Sequence, residues 1–214
     1  YQHSIHGIQL GKKNFDKDGI LVSSQLDYWT VYSKDISGTF LFGGYARCEK
    51  TANMKDGILQ YSKAAYDRNT GVLLWQEKSY YDAAGTEKYL RTETLYAYQV
   101  PAYEEVFKRQ HNFTSVAMTT QSVSPADYSS RTYIASKATT YRNWANSTVS
   151  IDCQVPSSCR LAAYQTYNWT QPGTDAPQFP PDTPVAAWQL KNQIISRSHT
   201  GYVITEQAES SGLV

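Results

Sequence analysis

Long hydrophobic runs, charged residues and cysteines are all scarce in this 214-residue sequence. No run approaches the ~20 apolar residues that a transmembrane helix needs, so the sequence predicts no membrane span. Charged residues make up only 18% of the chain, and the formal net charge is +1. That balance offers no general electrostatic attraction for nucleic acid or for an anionic membrane surface, and nucleic acid is therefore not expected as a partner.

The polarity of the chain comes mostly from uncharged residues, above all Ser, Thr, Tyr, Gln and Asn. This profile is typical of a β-rich protein that is secreted or displayed at the cell surface. The first 15 residues contain no apolar stretch of the kind found in signal peptides. We therefore interpret the chain as part of a larger parent polypeptide, whose remainder is its expected partner. The last five residues (Ser210–Val214, "SSGLV") resemble the start of a tag linker.

The three cysteines predict one small loop. Cys153 and Cys159 bracket the short polar stretch "QVPSS", a spacing that favours a disulfide between them. The alternative is a pair of unrelated reduced thiols. Cys48 follows a strand-like run and is expected to act as a small buried apolar residue.

Almost every apolar segment is short, rich in β-branched or aromatic residues, and closed by Gly, Asn or Asp. These features predict antiparallel β-strands joined by tight turns. Helical periodicity occurs only in Ala102–His111, just after Pro101. The expected fold is all-β, with one module over residues 1–209, a soft division near residue 125 and a tag remnant over residues 210–214.

Three segments share an aromatic residue, an aspartate and a nearby glycine, namely "FDKDG", "YDRNTG" and "YYDAAG". In each, the aromatic residue is expected to end a strand and pack inward, and the aspartate to cap the turn through its side chain. The glycine is expected to take a positive φ, which L-residues avoid. The predicted turn residues are Asp16, Gly19, Asp67, Gly71, Asp82 and Gly85. Each unit is then a hairpin that must stack on its neighbours.

These Tyr-Asp-x-x-Gly turns resemble the YD repeats of the RHS family, found in bacterial surface proteins and toxin complexes. Later stretches such as "TETLYAYQV", "AAYQTYNW" and "HTGYVITEQ" are similar to segments of the same family, so the resemblance covers roughly residues 10–205. It implies stacked hairpins in a curved sheet that serves as a scaffold or shell around a toxin cargo. The family's self-cleaving aspartate region has no visible counterpart here, and a β-sandwich is the alternative fold.

Catalytic and metal-binding patterns are weak in this sequence. The histidines lack cysteine or acidic partners at ligand spacing, and no G-x-S-x-G elbow is present. Glu104 and Glu105 are adjacent in sequence, so nothing indicates two carboxylates facing each other across a cleft. The sequence therefore predicts no enzyme, no metal site and no cofactor.

The aromatic residues support a second function, from a different class. Rings with a polar tip suit both glycans and protein interfaces. Several lie close to the Pro-rich and cysteine segments and could present an exposed platform, and these are Trp144, Tyr164, Tyr167, Trp169 and Trp188. The alternative function is thus a lectin- or adhesin-like β-sandwich that binds a cell-surface glycan or receptor. Because tyrosines recur with the turns, cross-strand packing is the favoured role for most of them.

Overall fold

The structure is a computed structural model, and it describes residues 8–33, 44–145, 148–150, 161–180, 186–197 and 204–208. Over these residues the chain is all-β with antiparallel pairing, which confirms the predicted fold class. The exceptions are a short helix α1 (Glu104–Arg109), within the segment where the sequence shows helical periodicity, and a 3-10 turn over Ala97–Gln99. No helix in the described part of the chain is long and apolar enough to cross a bilayer.

The strands in chain order are β1 (Gly11–Phe15), β2 (Leu21–Ser33), β3 (Gly44–Lys55), β4 (Ile58–Tyr66), β5 (Leu73–Tyr81), β6 (Glu87–Tyr96), β7 (Val116–Pro125), β8 (Thr132–Ala145), β9 (Thr148–Ser150), β10 (Leu161–Trp169), β11 (Trp188–Arg197) and β12 (Ile204–Ala208). They fall into two compact units, Tyr1–Thr92 with Ser124–Ser129 and Glu93–Val123 with Ser130–Val214. The main division thus lies at Glu93. The sequence predicts a soft division near residue 125. This residue lies in Ser124–Ser129, a short segment that belongs to the first unit.

The first unit is a meander in which each strand pairs with the next one along the chain, in the order β1-β2-β3-β4-β5-β6. Gly11 pairs with Leu26 at the β1–β2 end, and Ser62 pairs with Lys78 between β4 and β5. The described strands of this unit all belong to a single sheet. They therefore form side-by-side hairpins rather than the two packed layers of a sandwich.

The two faces of β2–β4 differ sharply in polarity. Directly paired residues lie on the same face of a sheet, and residues two apart along a strand share that face. One face, which we term the apolar face, carries Leu26, Tyr28, Ala52, Met54, Leu59 and Tyr61, together with Ser24, Lys50 and Lys63. The other face carries Gln25, Asp27, Thr51, Asn53, Gln60 and Ser62.

The second unit contains a hydrophobic cluster of buried residues. Its strands follow the order β7-β8-β10-β11-β12, with β9 paired to β8. Ala138, Tyr167 and Trp188 form the buried centre of the cluster, and partly buried side chains such as Phe179 pack around it. Nearby, Phe107 of α1 stacks edge-on against Tyr141 at 5.1 Å. Aromatic rings rather than aliphatic side chains therefore supply most of the buried volume.

Candidate functional site

Two of the predicted turns share one hydrogen-bond pattern. In the β1–β2 turn, Asp16 donates its amide to the carbonyl of Ile20, and its Oδ1 accepts the amides of Asp18 and Ile20 at 2.9 and 2.8 Å. In the β5–β6 turn, Asp82 makes the same bonds with the residues two and four positions later. Both glycines that follow have a positive φ, +79° for Gly19 and +76° for Gly85. The geometry is the one that the sequence predicts for an Asp-x-x-Gly turn.

The β4–β5 turn contains one more residue and keeps the same logic. Asp67 accepts the amides of Asn69 and Thr70 through Oδ1, at 2.9 and 2.8 Å. Its own amide donates to the carbonyl of Val72, one residue further along than in the shorter turns. Gly71 closes the turn with a φ of +73°. The extra residue is therefore accommodated inside the turn without shifting the roles of the aspartate and the glycine.

The pentapeptide "KDGIL" occurs twice and forms two different turns. In the second copy, Asp56 and Gly57 both have a positive φ, +52° and +77°, and they make a two-residue hairpin loop between β3 and β4. In the first copy, the same letters lie inside the longer turn capped by Asp16. The residue equivalent to Asp16 is Met54 in the second copy, and a thioether cannot accept two backbone amides. The residue before the repeat therefore selects the turn.

The aromatic residues that precede the turn aspartates do not all pack inward, so that part of the prediction is wrong. Phe15 and Tyr81 end β1 and β5 as expected, but they are 58% and 43% exposed. Tyr66, which ends β4, is half-buried, and the guanidinium of Arg47 lies 5.6 Å from its ring centroid. A single-layer sheet has no second layer behind these strand ends, so the rings remain at the surface.

We expect Asp67→Ala to destabilise the protein by about 1 kcal/mol, because it removes an acceptor shared by two backbone amides. Asp67→Asn keeps a side-chain oxygen that can accept the amides, so this variant should lose much less stability. Urea unfolding followed by circular dichroism measures both variants. Equal losses for Ala and Asn would show that the negative charge, rather than the acceptor, matters at this turn.

The first unit contains a cluster of side chains around Tyr128 that was not predicted from the sequence. Tyr128, in the segment Ser124–Ser129, stacks on Tyr89 of β6 with ring centroids 5.1 Å apart. Its hydroxyl donates to Glu77 Oε1 at 2.6 Å, and Glu77 is only 3% exposed. Lys63 Nζ lies 5.3 Å from the Tyr89 ring centroid and 3.9 Å from Glu77 Oε1. The four side chains form a compact group that packs the segment Ser124–Ser129 against the sheet.

The backbone of Tyr128 is strained, with a φ of +56°. A bulky residue takes this conformation only where surrounding contacts hold it, at a cost of order 1–3 kcal/mol. Burial of the hydroxyl, followed by the bond to Glu77, raises the pKa of Tyr128 well above that of an ordinary tyrosine. Tyr128 as a whole is 45% exposed, and its hydroxyl is the atom that contacts the buried Glu77.

Tyr128→Phe should destabilise the protein by roughly 1–2 kcal/mol, because it leaves the buried Glu77 carboxylate without its closest donor. The raised pKa fixes the sign of the pH effect. This stabilisation is complete below the ordinary tyrosine pKa of about 10, and it is lost as the pH rises through the higher folded-state value. We expect urea unfolding at pH 7 and above pH 10 to show that the free energy of unfolding differs less between the two pH values in the Tyr128→Phe variant than in the unmodified protein. An equal difference in the two proteins would contradict the role of this hydroxyl.

The proposed aromatic platform is not an exposed surface in the structure. Tyr167 is 0% and Trp188 is 5% exposed, because both lie at the centre of the hydrophobic cluster. Trp188 also donates its indole N–H to the carbonyl of Gln178 at 3.1 Å. Trp169 packs partly buried against the same cluster, and Tyr164 is half-buried beneath the guanidinium of Arg142. Tyr167 and Trp188 are therefore core residues, Trp169 packs against them, and the Tyr164 hydroxyl accepts a hydrogen bond from Gln193.

Two predictions concern residues that the structure does not describe. The side chain of Trp144 and the predicted Cys153–Cys159 disulfide lie outside the described residues. Cys48 is a free, half-buried thiol whose Sγ lies 3.4 Å from the Thr51 hydroxyl. The described residues contain no group of three or more His, Cys, Asp or Glu side chains arranged to hold a metal ion.

No family model, curated protein or solved structure matches this chain.

Proposed function

We propose that the chain is a non-catalytic structural module, a stretch of hairpin wall within a large secreted or surface protein of the RHS/YD-repeat type. In this role it acts as a scaffold or as part of a shell around a toxin cargo. The observation that supports the proposal is the set of three Asp-Gly turns that join consecutive strands of one meander. Their shared hydrogen bonds match the repeating unit that the sequence resemblance implies.

The open form of the first unit is a further argument for a scaffold. β1 is the outermost described strand of the meander, and within the described residues its Gly11–Phe15 backbone pairs only with β2. An unpaired strand edge is a template for another strand. A repeat module uses such an edge to continue the sheet into the neighbouring hairpin of the parent polypeptide.

Hydrogen exchange on the full parent polypeptide tests this proposal. The amides of β1 that point away from β2 should exchange rapidly in the 214-residue chain and become protected in the longer protein. The control is the set of amides in the β2–β3 ladder, which should be protected in both. Equal exchange at β1 in the two proteins would contradict the scaffold role, as would an image of the parent in which this segment forms an isolated domain.

A further inference from the structure

We propose that the apolar face of β2–β4 is a docking surface for an extended polypeptide segment that carries both apolar side chains and carboxylates. The occupant is a separate stretch of polypeptide, and a carboxylate of that stretch binds Lys50. This assignment stands on the register, exposure and charge of the first unit, independently of the scaffold proposal.

Large apolar side chains on the apolar face are exposed to solvent. Leu26 and Tyr28 of β2 and Leu59 of β4 are 49%, 46% and 41% exposed, and they lie on the same face of the sheet. The opposite face of the same strands is polar throughout its central rows. A sheet with this alternation is expected to bury its apolar side, and contiguous exposed apolar surface marks an interaction site.

Two of the charged side chains on this face are lysines on adjacent strands, and Glu77 of β5 lies beside one of them. Lys50 and Lys63 are directly paired on β3 and β4, so two ammonium groups share one face on adjacent strands. Like charges placed directly opposite each other destabilise a strand pair. Glu77 lies 3.9 Å from Lys63 and offsets its charge, but it is buried and already bonded to Tyr128. An incoming carboxylate would relieve the remaining repulsion.

Lys50 is held in a position to receive that carboxylate. Its ammonium lies 5.2 Å from the ring centroid of Tyr28 and 4.6 Å from that of Tyr61. The described residues supply no ion pair for it. Rings on either side fix a cation without neutralising it, since the attraction arises from the ring quadrupole. The result is a positive charge at the centre of an apolar surface.

The same face shows what kind of cover it accepts. At β5 and β6 it is covered by Tyr128 from a segment of this chain, which stacks on Tyr89 and bonds to the buried Glu77. The cover there is a polypeptide that combines an aromatic ring with a polar tip. A second copy that packed this face with its two-fold axis at the lysines would instead bring Lys50 and Lys63 against their own counterparts, which like-charge repulsion opposes.

Fluorescence anisotropy with labelled octapeptides tests the surface on the full 214-residue chain. The probe is a peptide of alternating leucine and glutamate, and the two comparison peptides alternate leucine with lysine and serine with glutamate. The leucine–glutamate peptide should bind saturably and lose affinity as salt rises. The other two should bind at least tenfold more weakly.

Matched variants on the two faces locate the binding. Lys50→Gln and Leu26→Ser should each weaken the leucine–glutamate peptide at least tenfold. Lys78→Gln and Gln60→Ser, on the polar face of the same sheet, should leave its affinity unchanged. Circular dichroism checks that each variant is folded, and Lys50→Gln decides the outcome if Leu26→Ser does not fold.

Several results would overturn the proposal. These are the absence of saturable binding, equal binding of the leucine–lysine peptide, and equal effects of Lys50→Gln and Lys78→Gln. Sedimentation velocity could give a further contradicting result. A concentration-dependent dimer that Leu26→Ser abolishes would assign the face to a second copy of the chain. Binding to vesicles of anionic phospholipid with the same Lys50 dependence would assign it to a membrane.

Discussion

Tyr167→Ala is expected to lower the free energy of unfolding by about 3–5 kcal/mol, the largest loss that we predict for any single substitution. Tyr167 is fully buried between Ala138 and Trp188, so truncation leaves a ring-sized cavity in the central cluster. It also removes the hydrogen bond from the Tyr167 hydroxyl to Gln165 Oε1, which measures 2.6 Å. Chemical denaturation with tryptophan fluorescence measures the loss.

Tyr164→Ala is the matched control for this substitution. Tyr164 lies on the same strand but is only half-buried, so its truncation should cost clearly less. If instead Tyr167→Ala left stability unchanged and abolished binding to a glycan on an array, Tyr167 would be a ligand-contacting residue. That outcome would favour the lectin-like function and contradict the packing described above.

Gly85→Val is expected to destabilise the protein by at least about 1 kcal/mol. Gly85 has a φ of +76°, and nothing lies within 4 Å of the position that a Cβ would occupy. The cost is therefore backbone strain rather than steric overlap with neighbours, and it is greatest for a β-branched residue. Thermal and urea unfolding both report it.

Gly173→Val separates the strain from other effects of the substitution. A Cβ at Gly173 would likewise meet nothing within 4 Å, but this glycine does not have a positive φ. The Gly173→Val control should therefore have a free energy of unfolding close to that of the unmodified protein. Equal losses at the two positions would show that positive φ is not the source of the destabilisation at Gly85.

The turns were predictable because each depends on residues within six positions of one another. An aspartate that accepts nearby amides and a glycine that takes a positive φ act without help from the rest of the fold. The two "KDGIL" copies show the limit of such local reasoning, since Asp16 and Met54, one residue before each copy, decide between two turn types. The all-β class followed from the same short segments and their turn residues.

The distribution of burial was not predictable, because it depends on contacts between residues far apart in sequence. Tyr128 and Glu77 are 51 residues apart, and nothing in "PADYSS" indicates a ring that stacks on the sheet. Likewise, the sequence marks Tyr167 and Trp188 only as aromatic residues near an irregular segment. The register of β10 on β11 is what brings them together in the core.

The apolar face shows why overall composition conceals a local site. The net charge of +1 arises from 20 basic and 19 acidic residues spread along the chain, and it indicates no general attraction for anionic partners. Pairing β3 with β4 nevertheless places Lys50 directly opposite Lys63. Register concentrates charge that composition averages out, so the surface could be recognised only once the strands were aligned.

Trans-hydrogen-bond scalar couplings, measured by NMR on isotopically labelled protein, test the turn architecture most directly. The amide of Asp82 should couple to the carbonyl of Thr86, and the amide of Asp16 to that of Ile20, as the 3.0 and 2.9 Å bonds require. Both couplings should be present in the same sample. Their absence, together with helical or random-coil chemical shifts at Gly19 and Gly85, would contradict the hairpin-repeat account.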